Sequence, residues 1–227
     1  MTPDEALEDL LATRWSCRAY QDRQVPKPVI ERLLTLAQRT ASWCNTQPWQ
    51  VIVTSGTGTE RFREAMTEWA RDHPAEFDFA PPAEYRGVYR GVYRERRRAS
   101  GWQLYEAVGI ERGDREASAR QAFENFRFFG APHVAIVTTD AVHDLYGAVD
   151  SGLYVGTFLL AARSLGLGAI PQAALAGHAT LIRKHFEIPE DRKILLGISF
   201  GYADEDHPTN SYRTARAGLD EVVTWVE

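Results

Sequence analysis

The first segment able to do chemistry lies near the N-terminus, where two arginines flank a serine. Arg14, Ser16 and Arg18 alternate along the sequence, so in an extended segment their side chains face the same way. Two guanidiniums and a hydroxyl on one side suit a phosphate or another anionic oxygen. The alternative is a solvated helix end, with Arg14 near the C-terminus of that helix.

A second segment, residues 41–49, places small polar side chains between tryptophans. Ser42 and Asn45 lie between a helical pattern and a strand pattern, next to Trp43 and Trp49. Small polar groups bracketed by aromatic rings can bind a flat, polar, aromatic ligand. The alternative is an ordinary helix end and a turn that leads into the sheet.

A third polar segment runs from Asn210 to Arg216 and contains Arg213 and Arg216. These two arginines would add positive charge to the same anion site, or they would lie in an exposed loop. A separate basic run, Arg94 to Arg98, suggests nucleic-acid binding. Acidic residues stand among and around these arginines, which favours a solvated helical face.

Composition narrows the classes of protein further. The 227 residues are 44% hydrophobic and 25% charged, with a net charge of −5, so we expect a globular protein that binds neither nucleic acid nor membrane. The two cysteines, Cys17 and Cys44, form no disulfide framework, and no metal-ligand spacing is present. No signal peptide is visible, so we expect a cytoplasmic protein. The dinucleotide, Walker A, HExxH and GxSxG motifs are absent.

The hydrophobic patterns predict helices that alternate with widely spaced strands. Thr2 and Glu5 form a capping box at the start of the first helix. Long segments between the strands favour an α/β fold with a helix-flanked sheet. Predicted helices cover residues 3–14, 26–39, 119–129, 151–165 and 180–187, with another marked by Phe62, Ala65, Met66 and Trp69; predicted strands cover residues 49–54, 133–139, 168–173 and 194–202.

Three regions are less regular. Residues 74–118 contain prolines and a Tyr-Arg-Gly-Val echo, and we interpret them as a lid-like insertion with some helix in a single domain spanning 1–227. The helix over 151–165 is apolar almost all round, which is typical of a core or a dimer interface. Residues 222–226 are mostly apolar and would pair as an edge strand, either within the chain or on a partner subunit.

Together these segments resemble the FMN-dependent nitroreductase family over nearly the whole chain. Residues 14–18 resemble its N-terminal Arg-x-Ser-x-Arg motif, and residues 42–49 resemble its Ser-x-x-Asn-x-Gln-Pro-Trp motif. Residues 201–204, followed by Arg213 and Arg216, resemble its C-terminal phosphate-binding end. Residues 105–115 and 125–132 resemble the subgroup that includes nitrobenzoate reductases.

The resemblance implies a role for each matching position. Arg14 and Ser16 would hold the FMN phosphate or ribityl chain, and Arg18 would approach the pyrimidine edge of the flavin. The remaining implied cofactor contacts are Trp15, Ser42, Asn45, Arg127, Pro171, Gln172, Ala173, Arg213 and Arg216. Trp43 and Cys44 stand where relatives often have small residues and would line the substrate pocket.

The resemblance also implies a nitroreductase-like mixed sheet, an intertwined homodimer with FMN at the interface, and a reaction. NADH or NADPH would reduce the flavin transiently, and a nitroaromatic or quinone-like molecule would then take two electrons in a ping-pong sequence. The chemistry would occur at FMN N5, with no catalytic side chain and no metal. The alternatives are dehalogenation, flavin cleavage or azoline oxidation on the same fold, or a flavin-binding protein without activity.

Overall fold

The computed structural model describes residues 1–79 and 89–227, and four strands form its central sheet. The strands are β1 (Trp49–Val53), β2 (His133–Asp140), β3 (Gly168–Gln172) and β4 (Arg192–Gly201), in the spatial order β1-β2-β4-β3. Each neighbouring pair is antiparallel. The expected α/β class with a helix-flanked sheet is confirmed, but parallel pairing is limited to isolated bridges such as Ser16–Ala169.

Alternate residues of the strands face two separate hydrophobic clusters. Ala135 and Val137 of β2 belong to one cluster, with Phe158 and Phe200. Val134 and Ile136 belong to the other. Because side chains alternate between the faces of a strand, the sheet has a core on each side, which explains why β2 is buried almost throughout.

Helices cover both faces of the sheet. The described helices are α1 (Pro3–Thr13), α2 (Lys27–Ala37), α3 (Thr57–Asp72), α4 (Gly91–Ala107), α5 (Arg115–Phe123), α6 (Asp144–Ser164), α7 (Ala173–Ala176) and α8 (Ala179–Phe186). Helices α2 and α6 pack on the face with the first cluster, and α3 and α8 contribute to the second. The capping box of α1 is present: Thr2 accepts from the Glu5 N–H, and Glu5 accepts from the Thr2 N–H.

The predicted helix over 119–129 is wrong at both ends. Helix α5 starts earlier, where the Asp114 carboxylate caps it by accepting from the Ala117 N–H. It ends at Phe123, and Phe128 and Phe129 then adopt φ values of 59° and 53°. Left-handed backbone cannot continue a right-handed helix, so the chain turns before it enters β2.

Helix α6 is longer than expected and is apolar on two faces. It begins at Asp144, seven residues before the predicted start. One face is buried, while Leu145, Tyr146, Val149 and Leu153 on the other are more than half exposed. By length and composition alone, residues 141–164 could cross a membrane, but half of the most apolar window is buried inside the fold.

Helix α4 and the C-terminal segment, residues 203–227, lie against each other. Arg96 of α4 forms an ion pair with Glu221 at 2.8 Å, and Gln103 Nε2 donates to the Arg213 carbonyl at 3.4 Å. Residues 203–227 contain no strand, so the expected edge strand is not formed within the chain, and pairing with a partner stays a prediction. Residues 80–88, with part of the Tyr-Arg-Gly-Val echo, lie outside the described residues.

Candidate functional site

The Arg-x-Ser-x-Arg segment is extended, and it is joined to the sheet along its length. Ser16 forms a parallel bridge with Ala169 of β3, and the Cys17 N–H donates to the Ala169 carbonyl at 3.2 Å. Further along, the Gln21 N–H donates to the Tyr202 carbonyl at 2.9 Å. The N-terminal motif therefore lies beside the residues that follow β4.

Asn210 fixes the C-terminal segment against this motif. Its Oδ1 accepts from the Arg18 N–H at 2.8 Å, and its Nδ2 donates to the Ala19 and Asp204 carbonyls at 3.0 and 2.7 Å. Its own carbonyl accepts from Arg213 Nη1 at 2.8 Å. The side chain is almost completely buried, so these bonds hold the arginine segment in place.

The two ends of the chain enclose a cavity of about 420 Å³. Six of the predicted cofactor residues line it, and they include four arginines. Among the residues that the structure describes, no carboxylate lines this cavity, so the charge of its lining is positive and its donors are guanidiniums and hydroxyls. The lining residues are Arg14, Trp15, Ser16, Arg18, Arg213 and Arg216, with Ser100, Tyr212, Thr214, Leu11 and Ala12.

Arg14 and Arg216 face each other across this cavity without an acidic counterpart. Burial and the charge of Arg216 lower the pKa of the Arg14 guanidinium. Arg216 Nη1 donates to the Thr214 carbonyl and hydroxyl. Within the ranges that the structure describes, neither arginine forms an ion pair. Two like charges held together without compensation favour a bound anion.

Arg18 links this cavity to a second, larger one. It lines both the 420 Å³ cavity and an open groove of about 820 Å³ that reaches α5 and Phe129. Arg18 Nη1 donates to the Tyr212 hydroxyl at 2.9 Å. Arg127 lines only the larger groove of these two; it is 60% exposed and pairs with Glu124 at 3.5 Å. Arg127 therefore shares a groove with Arg18 but does not join the arginine cavity.

The Pro171–Ala173 stretch, an implied flavin contact, spans the end of β3 and the start of α7. It contacts Asn125, which follows Glu124 of the larger groove. Gln172 is buried, and its Nε2 donates to the backbone and side-chain oxygens of Asn125 at 2.9 and 3.2 Å. Its Oε1 accepts from the Ser199 hydroxyl. Pro171 is half-buried, while Ala173 is exposed at the start of α7. The polar atoms of the Gln172 side chain therefore bond to other residues of the protein, and Ala173 is the exposed residue of this stretch.

The Ser42–Asn45 segment forms a strained turn on α6. Cys44 and Asn45 have φ values of 48° and 56°, which non-glycine residues rarely adopt. The buried Asp150 carboxylate accepts from the Trp43 N–H at 3.1 Å, and Ser42 Oγ accepts from the Gln47 N–H at 3.0 Å. Such strain concentrates at functional sites.

This turn exposes the predicted substrate-pocket residues. Trp43 is 62% exposed and packs on Tyr146 of α6, with ring centroids 5.4 Å apart. Cys44 is also exposed. Both side chains therefore extend the exposed apolar face of α6.

Within one chain, the Ser42–Asn45 turn does not meet the arginine cavity. The turn contacts α6 at Asp150, whereas the cavity contacts α6 at Arg163, which lies over the Trp15 ring. Thirteen residues of helix separate these points, about 20 Å at 1.5 Å per residue. Ser42 and Asn45 are thus not brought together with Arg14 and Arg216 in a single subunit.

Sequence reasoning missed four residues around the cavity. Arg163 lies in the last turn of α6, and Ser100 lies in the insertion. Tyr212 and Asn210 lie in the arginine segment itself. The sequence shows that these side chains are polar or charged, but only the packing of the folded chain shows that they lie at or beside the cavity.

Comparisons with known proteins identify the family of the chain. The model of the nitroreductase family matches residues 11–202. Nitroreductase NfnB of Mycolicibacterium smegmatis is 38% identical over 96% of this chain and 91% of its own, and 4-nitrobenzoate reductase of a Nocardioides species is 34% identical over 98% and 90%. The crystal structure of FMN-dependent nitroreductase NfnB from Mycobacterium smegmatis in complex with NADPH superposes with a TM-score of 0.93 at 35% identity, covering both chains completely. The chain belongs to the nitroreductase family.

Proposed function

We propose that the protein is an FMN-dependent oxidoreductase that uses NADPH or NADH to reduce nitroaromatic or quinone-like small molecules in a ping-pong reaction. The observation that carries this proposal is the arginine cavity, which is lined by four guanidiniums from both ends of the chain and by no carboxylate of residues 1–79 and 89–227. The similar proteins support it, since two of them are named for FMN and NADPH or for nitrobenzoate reduction.

The residues of the cavity fit a flavin phosphate. Arg14 and Arg216 supply uncompensated positive charge, and Trp15 Nε1 is buried without an acceptor within the described residues. A phosphate monoester offers both negative charge and several acceptor oxygens, so it would satisfy these donors together. The Ser16 and Thr214 hydroxyls line the same cavity and would contribute neutral hydrogen bonds.

The chain's own residues would bind the flavin, orient it and stabilise its reduced form. Arg14, Ser16 and Arg216 hold the phosphate end, and Arg18 extends positive charge toward the ring, which favours an anionic reduced state. Bound FMN supplies the two-electron chemistry, between the nicotinamide donor and an electron-poor acceptor. The Pro171–Ala173 stretch at the end of β3 would contact the flavin ring, and no side chain is assigned as a catalytic acid.

We infer that two copies complete the site. The Ser42–Asn45 turn is about 20 Å from the arginine cavity of its own chain along α6, so it would reach the flavin of a partner subunit. The exposed apolar residues of α6 follow helical spacing, from Leu145 through Val149 to Leu153, and form a stripe suited to a two-fold interface. Trp43 and Cys44 would line the substrate pocket from across that interface.

An absorption spectrum and a substrate panel test the proposal. Purified protein should be yellow and release FMN, and it should oxidise NADPH anaerobically with 4-nitrobenzoate or a quinone as acceptor. Arg14→Met and Arg216→Met should each weaken FMN binding by about tenfold or more, the loss expected for a charge-assisted contact. Arg32→Met, at an exposed site on α2, is the matched control and should bind FMN normally.

Each failure has a distinct meaning. Yellow protein without NAD(P)H oxidation above background would favour a non-catalytic flavin protein. Turnover of other substrates but no nitro compound would favour another flavin reaction on this fold. Colourless protein that takes up no added flavin would refute the proposal.

The oligomeric state gives a separate test of the composite site. Leu153→Glu places a charge in the exposed apolar stripe, and we expect monomers that lose flavin in size-exclusion chromatography with light scattering. Lys184→Glu, at an exposed position on α8, should stay dimeric. A Leu153→Glu protein that remains a flavin-loaded dimer would contradict the interface.

We further infer a single domain over residues 1–227, with residues 74–118 as its insertion. Both hydrophobic clusters share the same sheet, which supports this division. The free cysteines are consistent with a reducing compartment, and we propose the cytoplasm.

A further inference from the structure

Two guanidiniums from distant elements lie over the indole ring of Trp15. The Arg213 Cζ lies 4.3 Å from the ring centroid, and the Arg163 Cζ lies 5.4 Å from it. Both distances are within the range of an attractive cation–π contact. Trp15 itself lies between Arg14 and Ser16, so these contacts fix the residue at the centre of the N-terminal motif.

Arg163 reaches this position from the last turn of α6. Its Nε donates to the Thr13 hydroxyl at 2.9 Å, and Thr13 is the last residue of α1. Within the described parts of the chain, Arg163 has no acidic partner. It is therefore a fifth positive charge beside the arginine cavity, contributed by a helix that carries none of the residues predicted to bind cofactor.

Trp15 has one polar group that the protein leaves unused. Its Nε1 is buried and has no hydrogen-bond partner among the residues that the structure describes. Buried indole N–H groups usually find an acceptor. The polar lining of the adjacent cavity consists of arginines, hydroxyl groups and Trp15, with no carboxylate among the described residues, so a ligand oxygen is the natural acceptor there.

We propose that Trp15 and Arg163 make the site selective for a phosphorylated flavin over its unphosphorylated form. Trp15 donates its Nε1–H to a phosphate oxygen. Arg163 acts through Trp15: it holds the indole in place and adds positive charge behind it. This inference rests on the proposed FMN-dependent function, and it assigns a specific contact to Trp15.

Riboflavin isolates the phosphate, because it has the same ring and ribityl chain as FMN but lacks that group. The experiment prepares protein freed of flavin and measures the Kd of FMN and of riboflavin by flavin fluorescence. Trp15→Phe keeps an aromatic ring beside both guanidiniums and removes the N–H together with the pyrrole part of the indole. Riboflavin binding therefore reports the loss of packing that both flavins share, and the difference between the two flavins reports the N–H. We expect Trp15→Phe to raise the Kd of FMN about tenfold, as for one hydrogen bond to a charged group, and to leave that of riboflavin within about twofold.

Arg163 variants separate charge from packing. Arg163→Met should raise the Kd of FMN by about three- to tenfold at low salt and by less at high salt, because added salt screens the missing charge. Arg163→Lys keeps the charge and should retain most of the affinity for FMN. Trp69→Phe and Arg32→Met are the matched controls, since both residues lie away from the cavity on α3 and α2.

The ratio of the riboflavin Kd to the FMN Kd, compared between each variant and the wild type, decides the outcome. If Trp15→Phe and Arg163→Met weaken the binding of FMN and of riboflavin equally, or change neither, the proposal is wrong. The contacts of Trp15 with Arg163 and Arg213 then only stabilise the fold. Should Trp15→Phe fail to fold, as judged by circular dichroism, the Arg163→Met and Arg163→Lys pair decides by the same ratio. Wild-type protein that binds neither flavin refutes the proposed function itself, which is a different result.

Discussion

Asn210 makes three side-chain hydrogen bonds and accepts a fourth at its carbonyl, and these bonds join the two ends of the chain. Its partners include the Arg18 N–H and Arg213 Nη1, so one residue sets the position of an arginine from each end. Replacing Asn210 with leucine would leave the Arg18 N–H without its acceptor and remove the donor that joins the Ala19 and Asp204 carbonyls, which would lower the free energy of unfolding. The positions of two arginines that line the cavity therefore depend on a neutral residue.

At the residue scale, we predict that Cys17 is inert. Burial raises the pKa of the Cys17 thiol to about 11, and its Sγ donates to the Ala19 carbonyl at 3.1 Å. Because folding raises this pKa, titration of the thiol leaves the free energy of unfolding unchanged below the unfolded thiol's pKa of about 8.5. The free energy of unfolding then falls as the pH rises from there to about 11, the pKa in the folded protein. Below a pH of about 8.5 almost no reactive thiolate forms.

Alkylation in a Cys44→Ser background measures this directly. At pH 8, iodoacetamide should add nothing to the native variant and one label per chain in urea, as read by mass spectrometry. Rapid labelling of the native Cys44→Ser protein would contradict the assigned burial of Cys17.

At the element scale, the sequence predicted the strands better than the helix ends. The buried strands are continuous apolar runs, so β1, β2, β3 and β4 lie within two residues of their predicted bounds. The start of α6 was missed because residues 144–150 mix charged and exposed apolar side chains, so their pattern does not show which face is buried. The end of α5 was missed because left-handed Phe128 and Phe129 follow it, and no glycine or proline marks the turn before Gly130.

Gly168 tests how tightly the N-terminal motif packs on β3. A Cβ at this position would lie 2.8 Å from Cys17 Sγ and 2.9 Å from Cys17 Cβ, too close for either to remain in place. We expect Gly168→Ala to lower the free energy of unfolding by about 1–3 kcal/mol and to weaken FMN binding, because Ser16 would shift with its neighbour.

The matched control is Gly101→Ala on α4. A Cβ there meets nothing within 4 Å, and alanine favours helix over glycine by about 0.5–1 kcal/mol. Urea unfolding of flavin-free protein should show a lower midpoint for Gly168→Ala and an unchanged or higher one for Gly101→Ala. Equal midpoints for the two variants would show that β3 and residue 17 are not in close contact.

At the scale of the whole molecule, the site arises from long-range contacts. Residues 14–18 and 210–216 lie almost 200 positions apart, and no local pattern predicts that they meet. Residues from both segments line one cavity, and its role in cofactor binding stays a prediction. The resemblance to a known family, in the order and spacing of the motifs, suggested that the two segments meet. It did not predict Arg163 or Ser100, which enter through the packing of α6 and α4. It also did not predict that the Ser42–Asn45 turn lies far from the cavity within one chain.

The distribution of charge leads to a final prediction about association. The chain has a net charge of −5, yet α4 carries exposed Arg94, Arg97 and Arg98, and Ser100 of the same helix lines the arginine cavity. A local positive surface beside a binding cavity attracts anionic ligands and raises their association rate, and salt weakens this effect. We therefore expect the basic run to steer the polyanionic NADPH toward the flavin rather than to bind nucleic acid.

Stopped-flow reduction of the flavin by NADPH at increasing ionic strength measures this steering. The second-order rate constant of the wild type should fall about three- to tenfold between low and high salt, because added ions screen the arginines. The triple variant Arg94→Gln, Arg97→Gln, Arg98→Gln should start lower and vary less, and the two proteins should converge at high salt. Gln at the exposed Arg32, Arg39 and Lys184 removes the same charge elsewhere and should leave the salt dependence unchanged. Reoxidation by an uncharged quinone should be equal in all three proteins, because a neutral molecule is not attracted by the arginines. If the α4 variant and the control variant show the same salt dependence, α4 does not steer NADPH and its arginines are only a solvated helical face.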